Sequence, residues 1–310
     1  MSRIVVLTGG VGGAKLVLGL TRIHPANQIT AIVNTGDDFC HLGLSVSPDI
    51  DTLLYTLSGK ANAEQGWGRE GESWTFMSSL QSLGGEDWFQ LGDGDLALHV
   101  LRSHLLSGGQ SLSAVTAGFA AAWGLDLTIL PMTHDSVATH LMTDEGDLPF
   151  QHYFVGRRCA PIVRSIRFDG AEGATAAPGV IEAITDPETI AIFIAPSNPW
   201  LSIDPILAIP GIREALTSAH APVVAVSPIV GGQAVKGPTA KLMGELGLSV
   251  TNANIAAHYF GIIDGLLVDE RDDASGLDIA YCATDTLMKT LEDRERVGRA
   301  VMAFAERLRG

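Results

Sequence analysis

The sequence predicts an α/β protein: a Rossmann-like, mostly parallel sheet with helices on both faces, plus a small β-containing insertion. Three observations lead there. A buried-looking strand at the start of the chain runs straight into a glycine-rich turn and a helix. Short apolar runs then alternate with helical stretches down most of the chain. Between residues 140 and 168 the pattern changes to alternating apolar and polar residues.

Taken in order, Arg3 to Thr8 (RIVVLT) is β-branched and almost wholly apolar, as a strand covered on both faces must be. GGVGGAK follows, and Leu16, Leu20 and Ile23 recur at helical spacing over Ala14 to Arg22. Gln28 to Asn34 (QITAIVN) is a second buried strand, which completes a βαβ unit. A right-handed crossover puts the glycine turn and the loop after this strand on one sheet edge. Further strands are expected at Leu125–Leu130, Ile190–Ala195, Val223–Val226 and Leu266–Val268. Helices are expected at Leu112–Trp123, Pro210–Ala219, Ala240–Leu246 and Asn252–Tyr259, with a last one near Thr286–Arg309. An antiparallel hairpin turning at Glu145-Gly146-Asp147, followed by PIVRSIRF, forms the insertion. The expected division is a nucleotide-binding core of residues 1–139 and 177–310, with the insertion at 140–176.

Composition narrows the function. A chain of 310 residues and 32.6 kDa buries about three quarters of its unfolded surface, enough for one large core. Acidic residues outnumber basic ones 35 to 20. Duplex nucleic acid is therefore a poor partner, because its binding rests on phosphate neutralisation by Lys and Arg. Cys40, Cys159 and Cys282 are far apart and form no CxxC pair, so neither a disulfide framework nor a zinc site is implied. A reducing cytoplasm is the expected location. The N-terminal apolar run is too short for a signal-peptide core, and no 18-residue apolar run predicts a membrane helix.

Gly9, Gly10, Gly12 and Gly13 stand where the first strand meets the first helix. Glycine there permits close backbone approach, and the free N–H groups of a helix start favour an anion, usually phosphate. The pattern fits neither common nucleotide fingerprint. A dinucleotide motif needs glycine where Lys15 stands, and a P-loop needs glycine at 14 with Ser or Thr after the lysine. Lys15 is either a phosphate contact or a solvated helix residue.

The second strand leads into Asn34-Thr35-Gly36-Asp37-Asp38 and then Ser45-Val46-Ser47-Pro48-Asp49-Ile50-Asp51. Asp37, Asp38, Asp49 and Asp51 thus fall within 15 residues at the carboxyl edge. Carboxylates there suit Mg²⁺, which takes one or two of them together with phosphate oxygens and water. A carboxylate can also accept a proton from an attacking hydroxyl. Ser47 before Pro48 reads as a helix N-cap, and Asp49 as a further capping candidate, but capping does not account for all four acids. Such a cluster needs a cation or positive groups nearby.

GGVGGAKL, NTGDD and GLSVSPDIDTLLYTL together resemble the 2-phospho-L-lactate transferase family of deazaflavin coenzyme F-420 biosynthesis. Similar stretches follow in unbroken order: Gln65-Gly66-Trp67-Gly68, Leu91-Gly92-Asp93-Gly94-Asp95, Phe150-Gln151-His152, Pro196-Ser197-Asn198-Pro199, Ser202-Ile203, Val226-Ser227-Pro228-Ile229, Gly237-Pro238 and Asp285-Thr286-Leu287-Met288. The resemblance implies a transferase that takes a phosphorylated three-carbon acid from a guanosine-diphosphate-linked donor. The acceptor would be a ribityl hydroxyl of 7,8-didemethyl-8-hydroxy-5-deazariboflavin, with release of GMP. It further implies Mg²⁺, contact between Asp51 and the deazaflavin, and nucleotide phosphates held by the glycine turn and the Pro-Ser-Asn-Pro loop.

On this reading the catalytic set is Asp37, Asp38 and Asp51, and the metal set Asp37, Asp38 and Asp49. The substrate-binding set is Gly10, Gly12, Gly13, Lys15, Asn34, Asp51, Trp67, Asp93, Ser197, Asn198 and Ser227. For Ser197 and Ser227 turn chemistry beside proline is the alternative. Trp67 and Trp74 suit either an aromatic wall or anchors for their own loop. Asp269 is a weak candidate for a base contact. Gly94 departs from the family, which commonly carries Arg or Lys there, so one positive contact to the donor is either missing or supplied by another residue, with Lys15, Arg102 and Lys241 as candidates. That departure leaves the donor acid open, phosphoglycerate-derived donors included. A homodimer is an open expectation. A second reading, a nucleotide-sugar-binding regulator of the gluconeogenesis-factor type, shares a similar glycine loop and lacks the transfer step.

Overall fold

The computed structural model describes residues 2–62, 67–234 and 237–310. Its centre is a seven-stranded, wholly parallel sheet. In chain order the strands and helices of the first half are β1 (Arg3–Thr8), α1 (Gly10–Ile23), β2 (Ile29–Val33), a hairpin of β3 (Phe39–His41) and β4 (Leu44–Val46), then α2 (Pro48–Leu57), α3 (Thr75–Ser82), α4 (Asp93–Ser107), α5 (Leu112–Ala122) and β5 (Thr128–Pro131). The insertion holds β6 (Ala138–Thr143), β7 (Gly146–Pro149) and β8 (Val163–Asp169). The second half runs α6 (Val180–Thr185), β9 (Thr189–Ile194), α7 (Asp204–Leu207), α8 (Ile212–Thr217), β10 (Val223–Val226), a short β11 (Ile229–Val230) and β12 (Gln233–Ala234), α9 (Thr239–Glu245), α10 (Asn252–His258), β13 (Gly265–Asp269), β14 (Ala280–Thr284) and α11 (Leu291–Arg309).

The sheet order is β14-β13-β10-β9-β1-β2-β5. The chain builds outward from β1 to β2 and β5, then returns to the other side of β1 and builds outward again from β9. The switch point lies between β1 and β9, and a ligand crevice opens there beyond the carboxyl ends. Alternation along β1 feeds two cores. Ile4 and Val6 face one side with Leu16, Leu20, Ile50, Leu53, Val297 and Val301. Val5 and Leu7 face the other with Ile203, Ile206, Leu216 and Leu242. Both faces are therefore covered, which is why every central strand reads as a continuous apolar run.

The expected strands form within a few residues of their predicted bounds. Several features differ from the expectation. The first helix begins at Gly10 rather than Ala14, so the glycine stretch is its first turn and not a loop. Gly10 holds φ +63° at that corner, a conformation glycine adopts at no steric cost. A seventh strand, Ala280–Thr284, forms on the exposed edge, where partial burial weakens the apolar signal. The last helix starts at Leu291, with Thr290 accepting a hydrogen bond from the Asp293 N–H as its cap. The insertion is a three-stranded antiparallel sheet of order β7-β6-β8 and opens at Ala138. No helix among the described residues is long and apolar enough to cross a membrane.

Candidate active site

The loops that end β1, β2 and β9 converge at the switch point. Ser197 Oγ donates to the Gly9 carbonyl at 2.7 Å and lies 3.2 Å from the Gly9 nitrogen, which binds the glycine turn to the Pro-Ser-Asn-Pro loop. Glycine at 12 and 13 makes this approach possible. A Cβ at Gly12 would stand 2.6 Å from the Pro196 carbonyl oxygen, and one at Gly13 2.7 Å from Ser197 Oγ. The glycines therefore serve protein packing directly.

Asp49 completes the corner. Its Oδ1 accepts from the Gly10 N–H at 2.7 Å and its Oδ2 from Asn34 Nδ2 at 3.0 Å. The helix start thus already holds one anion, the protein's own carboxylate. Asp49 caps α1 rather than the helix it belongs to. Asn34 also donates to Asp37 Oδ1 at 3.0 Å and accepts from the Gly36 N–H at 2.8 Å, so it spaces Asp37 from Asp49 and folds the turn between them. Ser47, expected to cap α2 with its side chain, instead donates to Asp38 Oδ2 at 2.7 Å.

Burial and mutual repulsion dominate the electrostatics. Burial first, then the charges of Asp49 and Asp38, holds the Asp37 carboxyl well above the usual carboxylate range. Burial raises Asp38 likewise, against the opposing Ser47 hydrogen bond and Arg102 charge. Asp49 is pushed up to about 6, chiefly by burial. Such a cluster gains from a cation.

Asp51, whose charge also acts on the other three, differs from them in having an arginine of its own. Both of its oxygens face the Arg102 guanidinium, one through a short contact with Nη2 and the other at 3.1 Å from Nη1. Asp51 is 4% exposed and Arg102 0%. Arg102 also donates to the Ser45 carbonyl at 3.3 Å and to His99 Nδ1 at 3.2 Å. An acceptor at Nδ1 leaves the ring proton on Nε2, which lies 3.2 Å from Asp95 Oδ2. Tyr55 donates to the other Asp95 oxygen. A buried polar chain thus ties α4 to the segment 45–51 that carries the acids.

Beside Asp37 and Asp38 lies a cavity of about 220 Å³. Gly36, Asp37 and Asp38 line it together with Phe39, Phe150 and His152. The His152 ring stacks on Trp88 with centroids 4.2 Å apart, and Phe89 meets Phe39 edge-on at 4.8 Å. The insertion roofs this cavity: Gln151 Nε2 donates to the Asp37 carbonyl at 3.3 Å, and the Thr139 N–H to the Gly36 carbonyl at 2.6 Å.

The other predicted residues are placed as follows. Ser227 lies at the carboxyl end of β10, where its hydroxyl donates to Asn252 Oδ1 at 2.6 Å and accepts from the Ile229 N–H. Asn198 caps the turn that follows it through the N–H groups of Trp200 and Leu201, and donates to Thr239 Oγ1. Lys15 Nζ donates to the Met288 carbonyl at 2.8 Å. Asp93 accepts from Ser73 Oγ and from the N–H groups of Thr75 and Phe76, so it caps α3. Trp67 is 54% exposed, and Gln65 and Gly66 lie outside the described residues. Asp269 is fully taken by Arg271 and Thr286. Neither Arg102 nor Lys241 stands in for a basic side chain at position 94: Arg102 is buried against Asp51, and Lys241 pairs with Glu245. A side chain at position 94 would run into the Arg69 guanidinium, so Arg69 occupies that space.

Sequence reasoning did not assign Phe39, Trp88 or Thr139 to the site, and it offered Arg102 only as a substitute cation. A lone aromatic or threonine carries no spacing signal. Of the cavity's lining, Asp37 and Asp38 were named as site residues, and Phe150-Gln151-His152 entered only among the stretches that resemble the family.

Comparison with known proteins decides the family. The sequence signature described as 2-phospho-L-lactate transferase CofD matches residues 4–303. The chain belongs to this family. A Kitasatospora aureofaciens protein named phosphoenolpyruvate transferase is 43% identical over 99% of both chains. A Methanosarcina mazei protein named 2-phospho-L-lactate transferase is 37% identical over 96% of this chain and 99% of its own length. The protein is accordingly a transferase of the coenzyme F-420 biosynthesis family. A solved structure of a Bacillus halodurans protein superposes with TM-score 0.65 at 18% identity, covering 97% of this chain and 99% of that one. That likeness concerns the fold alone.

Proposed function

We propose that the protein transfers a phosphorylated three-carbon acid from a guanosine-diphosphate-linked donor to the ribityl hydroxyl of 7,8-didemethyl-8-hydroxy-5-deazariboflavin, releasing GMP. The observation that carries the reading is the meeting of the glycine turn, the Pro-Ser-Asn-Pro loop and the carboxylates of Asp37, Asp38 and Asp49 at one switch point, beside a cavity lined by aromatic side chains. The donor diphosphate lies over the junction of the β1 and β9 loops. The flat deazaflavin ring enters the cavity against Phe39, Phe150 and His152. Asp37 and Asp38 stand between the two, where the acceptor hydroxyl meets phosphorus. A carboxylate there orients the hydroxyl and takes its proton as the bond to phosphorus forms and GMP departs.

Magnesium fits this site. Asp38 Oδ1 is buried with no hydrogen-bond partner among the described residues, and Asp37 and Asp49 are crowded carboxylates. Asp38, with Asp37 beside it, would hold the ion, which would supply charge neutralisation to the phosphates; both Asp49 oxygens are already taken by the Gly10 N–H and Asn34. Among the described residues no three acids, histidines or cysteines are grouped so as to hold a metal ion by themselves.

The names of the relatives support an enolpyruvyl donor first and a lactyl donor second. Full-length similarity to proteins named as transferases favours transfer over a regulator that only binds. The test is to incubate purified protein with deazaflavin, Mg²⁺ and each guanosine-diphospho acid in turn, measuring GMP and the coupled product. Product with the enolpyruvyl donor is expected. Nucleotide binding without GMP release from any three-carbon donor overturns the reading.

A further inference from the structure

Gln151 stands just beyond β7, at the head of a short helical turn, His152–Gly156. It is 6% exposed and lines the cavity beside Asp37 and Asp38. Its Nε2 donates to the Asp37 carbonyl at 3.3 Å. That bond uses one of the two N–H groups and fixes which side of the carboxamide carries the oxygen. Among the described residues nothing pairs with Oε1 or with the second N–H. Oε1 is also open to solvent: along this lining the sealed side-chain oxygens without a partner belong to Asp38 and Thr139, not to Gln151.

Leucine or methionine would fill much the same volume, and a mostly buried amide edge without partners is unfavourable. Its neighbours in the lining, Phe39, Pro149 and Phe150, offer no hydrogen bond from their side chains. One carboxamide edge among aromatic walls suits a flat ring that brings a polar edge of its own. The acceptor's ring has such an edge, a pyrimidinedione whose imide N–H lies between two carbonyls. A carboxamide meets an imide at two points: Oε1 accepts from the N–H, and the remaining N–H donates to a carbonyl. Resting on the transfer reading above, we propose that Gln151 recognises the imide edge of the acceptor's ring and thereby selects it over a flat ring without that edge. It binds the acceptor and takes no part in the transfer of phosphorus. Its bond to the Asp37 carbonyl is a separate, bracing role.

Fluorescence titration of the acceptor and steady-state kinetics test this, using wild type, Gln151→Met and Gln151→Leu, each with the natural deazaflavin and its imide N-methyl derivative. Methylation removes the imide donor and keeps both carbonyls and the flat ring. Wild type should bind the methylated acceptor about tenfold more weakly than the natural one, and the variants should bind the two within about twofold of each other. The ratio between acceptors is the readout, because losing the bond to Asp37 lowers turnover with both acceptors alike. A merely bracing side chain would leave that ratio where it is in wild type. A wild type indifferent to methylation, or variants that keep the full preference, overturns the assignment. Should neither variant fold, the wild-type ratio decides by itself. Failure of the transfer reading shows separately, since wild type would then release no GMP from any donor with the natural acceptor, while the binding ratio is still measured.

Discussion

Replacing Arg102 with methionine probes the tie between α4 and the acidic segment. The guanidinium is wholly buried, with both Asp51 oxygens, the Ser45 carbonyl and His99 around it. Methionine keeps much of the volume and the packing near Phe119. It leaves Asp51 as a buried, unpaired carboxylate beside three others. Breaking such a pair from one side costs about 3–5 kcal/mol. With about 2.1 cal/mol/K of unfolding entropy per residue, the melting temperature should fall by roughly 5–8 °C. Arg102→Lys should recover part of the loss, since an ammonium neutralises Asp51 without the two-point fork. Combining Arg102→Met with Asp51→Asn removes both charges and should restore most of the stability. Turnover should remain at least tenfold down in single and double variants, because the segment that presents Asp49 is no longer braced. Chemical denaturation followed by circular dichroism, alongside GMP-release kinetics, measures both quantities. A single variant within about 0.5 kcal/mol of wild type, or a double variant no more stable than the single, would refute the brace.

Asp49 gives a pH-dependent test. Its carboxyl is raised from 3.8 to about 6, so the folded chain keeps a proton that the unfolded chain has released. The stability this provides is fully present below the unfolded value and is lost as pH climbs through about 6. The melting-temperature difference between Asp49→Asn and wild type should therefore move in the variant's favour between about pH 5 and pH 7.5, and a difference that stays constant sinks the argument. Removing the His152 ring as Ala should raise the deazaflavin KM about fivefold through loss of the stacked wall, with the donor KM unchanged; equal effects on both substrates would place the ring elsewhere. At the crossing of α1 and α11, a Cβ on Gly19 would drive into the Arg294 carbonyl, so Gly19→Ala should destabilise by about 1–3 kcal/mol in denaturant titration, with KM values unmoved. A variant as stable as wild type would show that the two helices separate easily.

The parallel core was legible because burial on both faces forces continuous apolar strands such as RIVVLT and VVAV, and few other environments tolerate them. The β14 strand, AYCAT, was not, because an edge strand is only half covered and carries no such demand. The aspartates at 37, 38 and 49 and the loop at 196–199 were legible as a group, because strand ends in this architecture must share one edge. What those residues do to one another was not legible. Asn34 spacing two carboxylates, Asp49 capping a foreign helix and Ser47 serving Asp38 are contacts across loops, set by distances that sequence separation does not encode.

By itself the sequence determined the layered α/β core, the edge that carries the chemistry and, through its ordered motifs, the transferase family. The tertiary structure alone decided which charges are answered and which remain open. Arg102 reaches Asp51 from a helix 51 positions away, so that carboxylate is paired, and it is not among the residues lining the cavity. Asp37 and Asp38 line that cavity under a roof drawn from residues 138–152, which packing, rather than chain proximity, folds back over the second strand's end.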